Sequence, residues 1–175
     1  MKEYMKYFSP IGTLLIESEN EFITRIDLIN NENIEKNSIK EKPYFIEIKT
    51  WLDNYFSGKI NENIPKLKLY GTKFQISVWN ALKELATFGK IITYKDLANY
   101  IAKENNKEKM SCRAIGNAVG KNPLLIIIPC HRVIGSNGTL TGFSCGIDAK
   151  IKLLTHENIT LIKNKKDKKY WKVAR

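Results

Sequence analysis

Cys130 and His131 stand side by side in the segment Pro129-Cys130-His131-Arg132-Val133. A thiol next to an imidazole has the makings of a nucleophile. Sulfur attacks as the thiolate, and a neighbouring base or cation raises the thiolate fraction. His131 and Arg132 are the nearest candidates for that activation. The competing reading is a structural cysteine, since unpaired Cys is among the most buried residue types. The run Leu124-Leu125-Ile126-Ile127-Ile128 precedes the segment and reads as a buried strand or core segment. As a strand, it would bring Cys130 out at the end of a rigid element. Only three Cys and two His occur in 175 residues, with no CxxC pair, so no metal site is expected. The odd thiol count argues against a disulfide framework and fits a reducing cytoplasm.

The elements that must position this chemistry lie in an electrostatically divided chain. Residues 1–70 carry 10 Lys/Arg and 11 Asp/Glu, net −1; residues 71–175 carry 19 and 7, net +12. A Lys-rich composition accounts for the total of +11 but not for the near-neutral first part. The basic part has the charge expected of a surface that meets a polyanion. No apolar run approaches a membrane span, and Met1-Lys2-Glu3-Tyr4 opens no signal peptide.

Residues 4–29 read as two or three strands, separated by Ser-Pro-Ile-Gly and Glu-Ser-Glu-Asn-Glu turns. Residues 30–42 are polar and read as a loop. Pro43 opens a helix carrying Phe45, Ile48, Trp51, Leu52, Tyr55 and Phe56 at helical spacing, and Gly58 closes it. A boundary is expected near 70. Thr72 with Gln75 and Thr93 with Asp96 are capping-box signatures for two further helices, and Ser111 caps a third that ends at Gly120. The last two suggest a helix-turn-helix, although the connection over 103–110 is longer than the tight version. The third helix reads Arg113-Ala114-x-Gly116-x-Ala118-x-Gly120. Glycine inside a helix costs roughly 1 kcal/mol against alanine, so something must approach this face closely. Either another helix or a nucleic-acid groove would do so.

Taken in order, Gly71-Thr72-Lys73-Phe74-Gln75, Val78-Trp79, Thr93-Tyr94, Arg113-Ala114-Ile115-Gly116, Asn122-Pro123, Ile128 through Val133, Gly142-Phe143-Ser144, Leu154 and His156-Glu157 carry a resemblance. The chain resembles the O6-alkylguanine-DNA alkyltransferases, densely over 71–157 and by layout alone over the first 70 residues. The resemblance implies a ribonuclease-H-like α/β domain over 1–70 and a mainly α-helical domain with a helix-turn-helix over 71–160; a basic tail over 161–175 extends past it. It implies repair of double-stranded DNA carrying O6-alkylguanine, with O4-methylthymine left open as a second substrate. The flipped lesion would pass its alkyl group irreversibly to Cys130, once per protein molecule and without a cofactor. His131 would be a water-mediated base and Glu157 its orienter. Tyr94 would press on the target phosphate and protonate the departing guanine, and Asn122 would be a hinge before the cysteine strand. Arg113 would fill the gap in the base stack, with Thr93, Ala114 and Gly116 also facing DNA. Val133, Phe143, Ser144 and Cys145 would form the base pocket. A monomer is expected.

The resemblance has one departure at the pocket. Ser144-Cys145-Gly146 stands where the family commonly has Ser-Gly-Gly, so Cys145 is expected to narrow the site against bulky O6-benzyl adducts. The segment Lys163 through Arg175 carries seven basic residues and one acid around Tyr170-Trp171 and reads as a disordered, solvating tail, or else as an added DNA contact. A non-catalytic lesion binder would lack Cys130. A helix-turn-helix regulator would need a further domain. A cysteine hydrolase would leave the +12 half unexplained.

Overall fold

The computed structural model describes residues 1–29, 42–59, 63–163 and 171–174. The loop expected at 30–42 lies, but for residue 42, outside the described residues. The chain divides into two compact units: 1–70 with 123–125, and 71–122 with 126–175.

In the first unit, β1 (Lys2–Ser9), β2 (Gly12–Glu19) and β3 (Phe22–Ile29) form an antiparallel meander. The β2–β3 hairpin turns through Asn20 and Glu21, both at positive φ. That geometry suits the twist of the flanking strands. Leu14 and Ile16 of β2 and Ile23 and Ile26 of β3 are buried, the β3 alternation being shifted by one residue at a β-bulge opposite Glu17 and Ser18. Helix α1 (Pro43–Phe56), with proline at its start, buries Phe45, Ile48, Leu52 and Tyr55. The outer edge of β3 is partly covered: Ile23 exchanges backbone hydrogen bonds with Lys66 and Lys68, and Ile26 with Pro123 and Leu125.

In the second unit, α2 (Lys73–Leu85) and α3 (Tyr94–Glu104) both begin in complete capping boxes, at Thr72/Gln75 and Thr93/Asp96. The Ser111 hydroxyl caps α4 (Cys112–Gly120). Val78, Leu82, Leu97, Ile101, Ile115 and Val119 are buried in this helical part. The Trp79 indole N–H donates to the Ala118 carbonyl at 2.8 Å and ties α2 to α4. Strand β4 (Ile92–Thr93) lies parallel to β5 (Val133–Ile134), which brings the start of α3 beside the segment after Cys130. Helix α5 (Ile147–His156) follows.

Of the two readings of the run 124–128 the core segment holds and the strand does not, and the reading of the C-terminal tail is cut back. The run 124–128 is buried throughout but is no strand. Ile126 adopts φ 75°, a left-handed conformation costly for a β-branched residue, and the run turns instead of extending. Cys130 therefore opens a single 3-10 turn, Cys130–Arg132, not the end of a strand. Nor is the C-terminal segment wholly a solvated tail. β6 (Leu161–Lys163) pairs with β7 (Trp171–Val173). Trp171 and Val173 pack on a core of Ile134, Leu140 and Leu154, and Leu140 N–H donates to the Trp171 carbonyl at 3.0 Å. The embedded aromatic outweighs the charge around it. Among the described residues, no helix is long and apolar enough to cross a membrane.

Candidate active site

The second unit holds every candidate residue. The 3-10 turn gathers Cys130, His131 and Arg132, all buried, and Glu157 reaches them from the end of α5. Glu157 Oε2 accepts from Arg132 Nε and Glu157 Oε1 from Arg132 Nη2, both at 2.7 Å. His131 Nε2 meets Oε1 at 2.8 Å, and Gly89 N–H donates to Oε2 at 3.3 Å. Arg132 Nη1 also donates to the Ala86 carbonyl. Burial pushes the Glu157 carboxyl up, but His131 and Arg132 more than offset it and hold the acid well below the usual carboxylate range. An ionised carboxylate only accepts, so His131 Nε2 carries the proton. Burial also holds the imidazole below its ordinary value, against the pull of Glu157. His131 is thus neutral at pH 7, with a lone pair on Nδ1, and Nδ1 is buried with no hydrogen-bond partner among the described residues.

Neither His131 nor Arg132 hydrogen-bonds the Cys130 thiol; both turn to Glu157. The sulfur's partner is Asn122, whose Nδ2 donates to Sγ at 2.9 Å and to the Ile128 carbonyl at 2.8 Å. Asn122, expected as a hinge, joins the end of the run to the thiol through these two bonds; the segment that follows it is a turn and not a strand. Burial dominates the thiol and pushes it up to about 11 despite the Asn122 bond.

Two residues that the sequence reading passed over complete the surroundings. Arg132 was considered only for its charge; it is the fork that fixes Glu157. Lys150 enters the sequence reading only as part of the basic charge of residues 71–175, yet it is fully buried. Its Nζ donates to the Val133 carbonyl at 2.6 Å and to the Thr141 carbonyl at 3.1 Å. The signal was present: Lys150 precedes Leu153 and Leu154 by three and four positions, on the apolar face of α5.

An open cleft of about 680 Å³ lies beside this centre, walled by Tyr94, Cys112, Arg113, Gly116 and Gly120 on the helical side and Thr141 through Ser144 opposite. Tyr94 Oη donates to the Gly142 carbonyl at 3.2 Å, and burial followed by the Cys130 charge raises its pKa, so the phenol keeps its proton. A methyl group on Gly116 would come no nearer than 3.9 Å to Tyr94, and one on Gly120 would meet nothing within 4 Å. Gly116 and Gly120 are therefore not required by a neighbouring helix, whereas Ala118 is buried against α2. The two glycines leave the outer face open, with Arg113 exposed at its start and Ala114 half-buried. The Thr93 hydroxyl is engaged in its cap with Asp96 at 2.6 Å. Cys145 is half-buried, its sulfur 3.8 Å from the Ser144 hydroxyl. Cys130, Val133 and Cys145 do not line the cleft itself.

The sequence matches the family described as 6-O-methylguanine DNA methyltransferase, its ribonuclease-like domain over residues 3–69 and its DNA-binding domain over 73–159. The methylated-DNA–protein-cysteine methyltransferase of Haemophilus influenzae is 43% identical over 164 residues, spanning 91% of this chain and 88% of its own. The crystal structure of Mycobacterium tuberculosis O6-methylguanine methyltransferase superposes with a TM-score of 0.74 at 35% identity, covering 90% of this chain and 93% of that one. OGT of the same organism, solved in complex with DNA, gives 0.73 at 34% identity over 89% and 92%.

Proposed function

The chain belongs to the 6-O-methylguanine DNA methyltransferase family, and from that premise we propose that it repairs DNA by direct reversal, moving a methyl or alkyl group from O6-alkylguanine to its own Cys130. The observation that carries the residue assignment is the buried thiol clamped by Asn122, one residue from a neutral imidazole whose outer nitrogen is fixed on an ionised carboxylate.

The chemistry follows from the parts. Guanine O6 lies within the duplex, so the base must leave the stack, at a few kcal/mol, before a buried sulfur can line up behind its alkyl carbon. The small outer face of α4 admits the DNA backbone closely, and Arg113 stands where it can fill the gap left in the stack. The basic charge of residues 71–175 supplies affinity without sequence preference. Once the base is seated against Ser144 and the Val133 backbone, His131 Nδ1 takes the thiol proton through one water. The sulfur attacks the alkyl carbon, the C–O bond breaks, and its electron pair passes into the guanine ring. Tyr94 donates a proton to the leaving guanine and is reprotonated from the pool His131 has filled. One S–C bond forms, one O–C bond breaks, and one proton moves from thiol to base. The thioether is not hydrolysed, so each molecule acts once, as a monomer in the reducing cytoplasm. The alkyl donor is the lesion, and the scheme calls on no cofactor.

Intact-protein mass spectrometry after mixing with duplex DNA holding one O6-methylguanine tests the proposal. One methyl is expected on wild type, mapped to Cys130, and none on Cys130→Ala. Tight binding without mass gain would instead make Cys130 a structural thiol in a lesion-binding protein. Cys145→Gly should quicken inactivation by O6-benzylguanine; unchanged sensitivity would remove Cys145 from the pocket.

A further inference from the structure

The C-terminal hairpin lies beyond residues 73–159, which carry the match to the DNA-binding domain, and no step of the scheme above uses it. Its position is informative. Strand β7 pairs with β6 on one side. On its other side, Leu140 N–H donates to the Trp171 carbonyl and Val173 N–H to the Gly138 carbonyl, both at 3.0 Å, with Thr139 opposite Lys172. Residues 138–140 are thus laid down along β7 as a short third strand. They run directly into Thr141 through Ser144, the cleft wall opposite Tyr94 and α4.

The wall has little order of its own. Residues 135–146 contain no helix or strand. Gly138 and Gly142 within them hold φ of 82° and 59°, and glycine loses more conformational freedom on ordering than any other residue. Past Leu140 the wall is held by side chains from two helices. Lys150 Nζ donates to the Thr141 carbonyl at 3.1 Å, and Tyr94 Oη to the Gly142 carbonyl at 3.2 Å. Before Thr141, among the described residues, the backbone bonds that reach residues 138–140 from another element come from β7. The Trp171 and Val173 side chains fix β7 in turn, packing on Ile134, Leu140 and Leu154. Ile134 follows Val133 in β5, and Leu154 stands in α5, three residues before Glu157. We propose that the C-terminal hairpin is the template of the pocket wall, with Trp171 as its positioning residue: β7 fixes residues 138–140, and thereby the placement of Phe143 and Ser144 across the cleft from Tyr94 when the alkyl group moves. This inference rests on the reading of that wall as the pocket of the flipped base.

Single-turnover methyl transfer from duplex DNA holding one O6-methylguanine is followed at rising protein concentration for wild type, Trp171→Ala and Trp171→Phe, with a thermal melt of each. Hydrogen exchange over residues 138–146 is read by mass spectrometry in the same proteins. Trp171→Ala should transfer about 10-fold more slowly at saturation, because a small misplacement of the base is costly. Its half-saturating concentration should stay within about 2-fold of wild type. Its 138–146 amides should exchange about 10-fold faster, with those of α2 and α3 unchanged. Trp171→Phe keeps an aromatic ring on the same core and should restore both. A loss confined to the half-saturating concentration would make the segment a DNA contact and overturn the proposal. Faster exchange at an unchanged saturating rate overturns it too, leaving the hairpin a structural element alone, and so does unchanged exchange. Should Trp171→Ala not fold, Val173→Ala, which removes less of the same packing, is read in its place. A wild type that transfers no methyl group removes the proposed function, and hydrogen exchange then decides the template on its own.

Discussion

Each unit buries one glutamate among its described residues, and the two are satisfied in opposite ways. Glu17 in the first unit keeps a 9% exposure; it accepts from the Thr24 hydroxyl at 2.8 Å and meets Lys2 at 3.0 Å, a lysine whose side chain is 54% exposed. Glu157 in the second unit is 2% exposed, and its cationic partner Arg132 is buried with it, as is His131. Solvent can replace Lys2, whereas nothing can replace Glu157. The first unit tolerates a charge at its rim; the second is organised around one, because the carboxylate sets the histidine tautomer.

Glu157→Gln should break the comparison most. It strands the Arg132 guanidinium in the interior, a loss of about 3–5 kcal/mol by analogy with broken buried pairs, read as a lowered urea midpoint. Methyl transfer should fall too, since a neutral amide no longer dictates which imidazole nitrogen carries the proton. Acid sharpens the same point. The Glu157 carboxyl is depressed in the fold, so its stabilisation is complete above the unfolded value of 4.5 and is lost as pH falls below it. His131 is also depressed, from 6.5, and its buried neutral form adds a loss that begins nearer pH 6.5. Urea titrations from pH 7 to 4 should show both, and Glu157→Gln should lack the lower one.

Lys150 gives the next largest effect, at the alkaline end. Burial lowers it from 10.5 to about 8, so the penalty for its charge is full below pH 8 and is relieved as pH rises toward 10.5. The relief amounts to about 3 kcal/mol. It should appear as stability gained with pH by Cys130→Ala relative to Cys130→Ala/Lys150→Met, a background that removes the opposing thiol. Thr93→Ala should cost about 1 kcal/mol through its cap. Glu17→Gln should cost less than about 1 kcal/mol, measured in the same melts; a loss equal to that of Glu157→Gln would erase the distinction between the two glutamates.

What the sequence made legible was local or periodic. Thr72, Thr93 and Ser111 announce their helices because a cap is complete within four residues, and Pro43 does so because its φ is fixed. The order of motifs from Gly71 to Glu157 made the site legible through resemblance. What escaped was decided by tertiary contact. Ile126 turns although its neighbours spell a strand, and no local residue signals its positive φ. Lys150 and Arg132 look like surface charge until their partners come from other elements. Asn122 reaches a sulfur eight residues away only because the intervening run folds back. Trp171 escaped because seven basic residues surround it.

The deep seat of Cys130 has a consequence for time, not rate. A protein consumed by a single event spends nearly all its existence waiting, and its worth depends on arriving unspent. A thiol 3% exposed and held protonated, up to about 11, is a poor target for peroxides and stray alkylating agents, which react with exposed thiolates. The same burial that makes the sulfur sluggish gives the repair reagent its shelf life.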